Sequence, residues 1–146
     1  MIHEKIALEY AQLTKQRDWL AYSLQECQII GIRPTYTIDE FGLFETLCSR
    51  YARGVDFLIR KVFRTIDAYE FENQGTLIDT VNNADKRGLI SDVETLRIMK
   101  DIRNTLVHEY IEEALSEVFD EVLEYTETLL EIMDATLAYI DKTIHK

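Results

Sequence analysis

Helix breakers are nearly missing from this chain. Its single proline, Pro34, and one of its five glycines, Gly31, fall in one short stretch, Gly31 to Tyr36, and long breaker-poor runs lie on either side. Helix-favouring residues dominate those runs, and apolar positions recur at helical rather than alternating spacing, so the expected class is all-α. The 146 residues, 47% of them hydrophobic, suffice for one domain around one core, taken as residues 1–146.

Periodicity and caps predict five helices. From Ile2 to about Ile30, Ile6, Leu13, Leu20 and Cys27 recur seven apart with Tyr10 and Leu24 on the adjoining seam, and Gly31 and Pro34 end the run. Thr37-Ile38-Asp39-Glu40 has capping-box form and opens a second helix to about Phe71, with Phe41, Phe44, Cys48, Tyr51, Val55, Leu58 and Val62 on one face. After a loop at Asn73-Gln74-Gly75, Thr76 is placed to cap a short third helix that stops near Gly88. Ser91-Asp92-Val93-Glu94 reads as a capping box for the fourth. The last helix is expected from about Glu113 to Thr143, with a seam of Leu115, Val118, Val122, Tyr125, Leu129, Ile132, Thr136 and Tyr139. None of these stripes can be buried alone, so a helical bundle follows.

No apolar run is long enough to cross a membrane, and Glu4, Lys5 and Glu9 interrupt the N-terminal apolar positions, so neither a membrane span nor a signal peptide is expected and a cytoplasmic location is. Cys27 and Cys48 lack Cys-x-x-Cys or Cys/His spacing and read as buried free thiols.

The stretch that carries chemistry is Arg103-Asn104-Thr105-Leu106-Val107-His108-Glu109-Tyr110, which holds the only histidine away from the termini. A cation with a titratable imidazole is a minimal kit for phosphodiester chemistry. At ~100° per residue, Met99, Ile102 and Leu106 share one side of the fourth helix, and Arg97, Asp101, Asn104 and His108 share the other. His108 is therefore expected to face away from the core, as part of a solvated polar face or of a site. Asn104, one turn earlier, is placed to orient the imidazole. Arg103 lies ~140° round and ~7.5 Å along an ideal helix from His108, so convergence on one phosphate needs a distorted helix or a site shared by two chains. Tyr110 returns to the apolar side if the helix continues, and reads equally as a core or interface tyrosine or as an exposed hydroxyl.

The net charge is −11, yet it is unevenly spread. Every charged residue from Glu109 to Asp134 is acidic, whereas Arg50, Arg53, Arg60, Lys61 and Arg64 crowd the second helix and Lys86, Arg87, Arg97, Lys100 and Arg103 approach the motif. Two readings remain: a basic cleft in which Arg50, Arg53, Arg97 and Lys100 contact RNA, or cations that pair with the acidic last helix across the bundle. That acidic helix would repel nucleic acid and could attract a basic protein. Glycine-rich phosphate loops, His-Glu-x-x-His, Gly-x-Ser-x-Gly and Glu-x-x-His pairs are all missing from the sequence, so phosphodiester cleavage here is expected to be metal-independent.

Arg103, Asn104, His108 and Tyr110 resemble the Arg-x4-His-x-Tyr signature of HEPN-domain proteins, in particular the HepT-like toxins encoded beside MNT-type nucleotidyltransferases. The likeness covers roughly Ala84 to Tyr110, including the glycine-containing turn Lys86-Arg87-Gly88-Leu89-Ile90-Ser91 that leads into the motif helix; elsewhere it is one of helix order. The resemblance implies an up-and-down HEPN-like bundle of four to five helices, dimeric, with both subunits' motifs in one cleft. It implies a metal-independent endoribonuclease toxin that needs no cofactor and is neutralised by a cognate MNT-type nucleotidyltransferase antitoxin, which attaches AMP to the motif tyrosine, here Tyr110. In that reading His108 is the general acid/base, Arg103 stabilises phosphoryl charge and Asn104 orients the ring. The alternative is a non-catalytic subunit that presents the acidic helix or the motif cleft to a nucleotidyltransferase.

Overall fold

The two threonine caps act as their spacing predicts. Thr37 accepts from the backbone N–H of Glu40 while the Glu40 carboxylate accepts from the Thr37 N–H, and Thr76 forms the same reciprocal pair with Asp79. In the computed structural model, which describes residues 2–70, 75–108 and 112–144, the elements are α1 (Ile2–Ile30), α2 (Ile38–Phe57), a π-helical turn (Leu58–Val62), α3 (Phe63–Tyr69), α4 (Leu77–Lys86), α5 (Val93–His108), α6 (Glu112–Ser116) and α7 (Phe119–Thr143). The described residues are thus all-helical, and no helix among them is long and apolar enough to cross a membrane.

Gly31 and Gly88 sit just beyond α1 and α4 at φ of 74° and 76°, the left-handed conformation in which glycine ends helices. The expected third-helix stop near Gly88 is this turn: the Leu89 N–H reaches the Ala84 carbonyl and the Gly88 N–H that of Asp85. The expected capping box of the fourth helix is corrected by one residue. Asp92, not Ser91, is the cap, its Oδ1 accepting from the Thr95 N–H at 2.6 Å. The Thr95 backbone holds the Asp92 carboxyl below its ordinary range, with the Thr95 hydroxyl adding to the effect.

The last helix is broken, which the sequence reading missed. Glu117 and Val118 form a turn between α6 and α7, because Phe119 is drawn into an aromatic cluster with Tyr36, Phe41 and Phe44. Its ring stacks on Phe44 at 4.3 Å, and both rings are fully buried. Along α7 the core positions become Phe119, Val122, Thr126, Leu129, Ile132, Met133, Thr136 and Ile140, so Tyr125 and Tyr139 lie at the edge of the seam rather than on it.

Pairings across the bundle fix its directions. Tyr10 donates to Asp141, Arg17 to Asp134 and Gln28 to Glu127, so α1 and α7 run antiparallel. The His3–Tyr69 ring contact and the Arg50–Ser23 hydrogen bond likewise set α1 against the α2–α3 rod in the opposite sense. Ile6, Leu13, Leu20, Leu24 and Cys27 are buried as the seven-residue spacing predicts, and burial pushes the Cys27 and Cys48 thiols up to about 12, leaving them protonated and unreactive at neutral pH.

Helices α2 and α7 are in close contact at Gly54. A β-carbon there would stand 2.8 Å from Met133 Cε and 3.2 Å from Leu129 Cδ2. The methionine tip can swing aside, but Leu129 is fully buried. Gly54→Ala is expected to change stability little, since helix propensity improves by ~1 kcal/mol as the contact tightens. Gly54→Val should lose about 1–3 kcal/mol through overpacking, read as a lower urea midpoint.

Candidate functional site

Helix α5 presents its two faces as the periodicity predicts. Leu96, Met99 and Ile102 are buried, whereas Arg97, Asp101, Asn104 and His108 are exposed. The helix is fixed against α2 by the fully buried Tyr51, whose hydroxyl donates to the Met99 carbonyl at 3.0 Å. Burial raises the Tyr51 phenol well above its ordinary range, so this donor is permanently protonated.

Arg103 is not a free cation. Its Nη2 and Nε donate to Oδ2 of Asp56 at 2.7 and 3.0 Å, with both side chains partly buried between α2 and α5. Its Nη1 donates to Oδ1 of Asn104 at 3.2 Å. The carbonyl oxygen of Asn104 is thus engaged by the arginine, which leaves its Nδ2 as the group that could meet the imidazole. His108 is the last residue of α5, exposed and without a side-chain hydrogen bond among the described residues. Tyr110 lies outside the described residues, so its orientation is not part of the site described. Because α5 is unbroken from Val93 to His108, a distorted motif helix does not bring Arg103 and His108 together.

Three depressions lie along α2 between the motif helix and α1. A recess beside Arg103 is lined by Asp56, Ile59, Arg60, Leu77, Lys100 and Asn104. An open groove of about 430 Å3 follows, walled by Glu45, Cys48, Ser49, Ala52, Arg53 and Asp56 on one side and by Leu106, Val107 and Leu115 on the other, so it carries two carboxylates and one cation. Beyond Arg53 lies a pocket of about 210 Å3 formed with Lys15, Gln16, Trp19 and Arg50. Asp56 borders the first two and Arg53 the last two.

The cations predicted to meet RNA are dispersed. Lys100 and Arg103 share the recess; Arg53 stands between groove and pocket; Arg50 is at the α1 end, with Nη1 donating to Ser23 Oγ at 2.6 Å and to the Trp19 carbonyl at 3.1 Å. Arg97 is exposed but ion-paired on its own helix. It is clasped by Glu94 and by Asp101, whose Oδ2 is 2.8 Å from Nη1, and these carboxylates hold its guanidinium above the ordinary range. Of the second-helix cations, Arg50 and Arg53 bond within α1 and α2 rather than to the acidic last helix. Carboxylates of α7 instead meet α1 through Arg17, Tyr10 and Gln28. Arg87 is turned inward, its side chain largely buried against Asp67 and Glu70.

Sequence reasoning missed Asp56 and Trp19. Asp56 is 47 residues from Arg103, and no local pattern announces a pair at that separation. Trp19 falls between the core positions Leu13 and Leu20 of α1 and carried no motif. Among the described residues no group of three or more His, Cys, Asp or Glu side chains is placed to hold a metal ion. Comparison with protein-family models, with curated proteins and with solved structures finds no match for this chain.

Proposed function

We propose that the chain is a metal-independent endoribonuclease of the HEPN type, acting in the cytoplasm as a toxin restrained by an MNT-type nucleotidyltransferase. One observation carries the reading: an exposed imidazole, without a side-chain hydrogen bond among the described residues, ends the helix on which Arg103 and Asn104, joined to each other, line a recess against α2. In the proposed step, His108 takes the proton of a ribose 2′-hydroxyl as O2′ bonds to phosphorus. The P–O5′ bond breaks, and a second His108 protonates the departing 5′ oxygen, giving a 2′,3′-cyclic phosphate and a 5′-hydroxyl. Arg103 balances charge on the phosphoryl oxygens. Tyr110 is the proposed AMP acceptor, where the added negative charge would compete for Arg103.

The second His108 comes from a second copy. On one straight α5 the arginine and the histidine are ~140° and ~7.5 Å apart, so a two-chain cleft supplies what one helix cannot. Light scattering at micromolar concentration is expected to give the mass of a dimer; a monomer alone would remove the shared site.

Incubation of the purified protein with single-stranded RNA tests the activity directly. Fragments ending in cyclic phosphate, formed equally with a chelator present, are the expected result, and intact RNA overturns it. The second reading, a non-catalytic subunit of a nucleotidyltransferase, is favoured by the carboxylate of Asp56 that already neutralises Arg103 and by the exposed acidic residues Glu121, Glu124 and Glu131 along α7. It expects a stable complex with that enzyme and no cleavage.

A further inference from the structure

The chain's only tryptophan is spent on the surface. Trp19 is 52% exposed on the outer side of α1, with Lys15 Nζ 4.9 Å and the Arg50 guanidinium carbon 5.1 Å from its ring centroid. The pocket it forms with Lys15, Gln16, Arg50 and Arg53 contains three cations and no carboxylate, on a protein of net charge −11. The other edge of the ring differs, because Asp18 and Tyr22 border it there and Asp18 is turned 3.6 Å from Arg17.

The three cations are not equivalent. Arg50 is fixed by Ser23 Oγ and the Trp19 carbonyl, so it braces the ring. Lys15 is held by the ring alone among the described contacts. Arg53 is exposed, and its one described side-chain bond is a 3.4 Å contact with the Ser49 carbonyl. Two cations free of carboxylates thus flank an aromatic surface held by a third. A flat π system with an attached phosphate is the ligand that uses all of them, since the ring stacks on a base and the cations meet the anion.

We propose that Trp19 is a stacking platform for an unpaired nucleotide of single-stranded RNA, whose phosphate is taken by Lys15 and Arg53. The strand, rather than a free nucleotide, is the occupant, because Arg53 also walls the neighbouring groove, which shares Asp56 with the recess beside Arg103. Arg53 and Asp56 are one helical turn apart on α2, so a strand anchored at Trp19 is led towards the motif. This rests on the ribonuclease reading and adds to it where the substrate is gripped.

Because Trp19 is the sole tryptophan, intrinsic emission reports on this site alone. In a His108→Ala background, which keeps the RNA intact, a short single-stranded oligoribonucleotide is titrated while tryptophan emission and the anisotropy of a labelled copy are both followed. Quenching that tracks binding is expected with the single strand and none with a blunt duplex, whose bases are already stacked. Trp19→Leu should weaken binding roughly tenfold by anisotropy, and Lys15→Ala with Arg53→Ala should flatten the salt dependence. An oligonucleotide that binds without changing the emission overturns the platform and leaves the ribonuclease reading standing. Quenching by RNA that the wild-type protein does not cleave keeps the platform and removes the ribonuclease. AMP that quenches at the same concentration as the strand overturns the assignment to RNA.

Discussion

Replacing His108 by alanine is expected to lower RNA cleavage by roughly 100- to 10,000-fold, the range by which positioned acid–base groups accelerate proton transfer. Stability should hardly change. The ring is exposed at the end of α5 and makes no described hydrogen bond, so its removal opens no cavity and strands no partner. Cleavage measured as initial rate, beside a urea unfolding curve, separates the two effects. Wild-type rates in the His108→Ala protein would exclude the imidazole from the reaction. A similar loss of rate in Arg103→Ala would carry less information, because that change also leaves Asp56 without its guanidinium and disturbs the α2–α5 contact.

The largest loss of stability is expected far from the motif. Arg87 donates to Asp67 and to Glu70, each at 2.6 Å, and Glu70 in turn accepts from the Tyr139 hydroxyl at 2.6 Å. Asp67 is fully buried, and its second oxygen, Oδ2, has no hydrogen bond. Arg87→Met leaves that carboxylate with no counter-charge in the interior, an arrangement that costs about 3–5 kcal/mol. Against the roughly 5–15 kcal/mol that holds a domain folded, this is a large fraction. The urea midpoint of Arg87→Met should therefore fall steeply, and a second change, Asp67→Leu, should restore part of it by removing the stranded charge. A single-mutant loss under about 1 kcal/mol would mean that the pair is better solvated than its burial implies.

What could be read in advance was local. Thr37 and Thr76 were legible as caps because a capping box closes within four residues, and Ile6, Leu13, Leu20 and Cys27 because a seven-residue repeat on one long helix needs no knowledge of its partner. The break before Phe119 was hidden. Glu117 and Val118 carry no glycine or proline, and what ends α6 is the ring of Phe119 finding Phe44 in another helix. The site divides in the same way. That Asn104 and His108 share the outer face of α5 follows from angle alone, but the carboxylate that holds Arg103 arrives from α2, and the carbonyl oxygen of Asn104 is engaged by the guanidinium. The Trp19 pocket depends on α1 and α2 lying side by side, and no spacing within either helix encodes it.

The π-helical turn makes the α2–α3 rod sensitive to its own residue count. At Leu58–Val62 the Phe63 N–H reaches back five residues to the Leu58 carbonyl, so one more residue is wound into that turn than an α-helix would hold. Its effect is one of phase: everything after the turn is rotated by ~100° relative to a continuous α-helix. Beyond the turn Phe63, Ile66 and Asp67 face the interior, and in that phase Asp67 meets Arg87. A residue lost from the turn would restore a continuous α-helix, turn everything beyond it and carry a buried charge away from its partner. The length of Leu58 to Val62 is thus constrained as well as its buried Leu58, Ile59 and Val62.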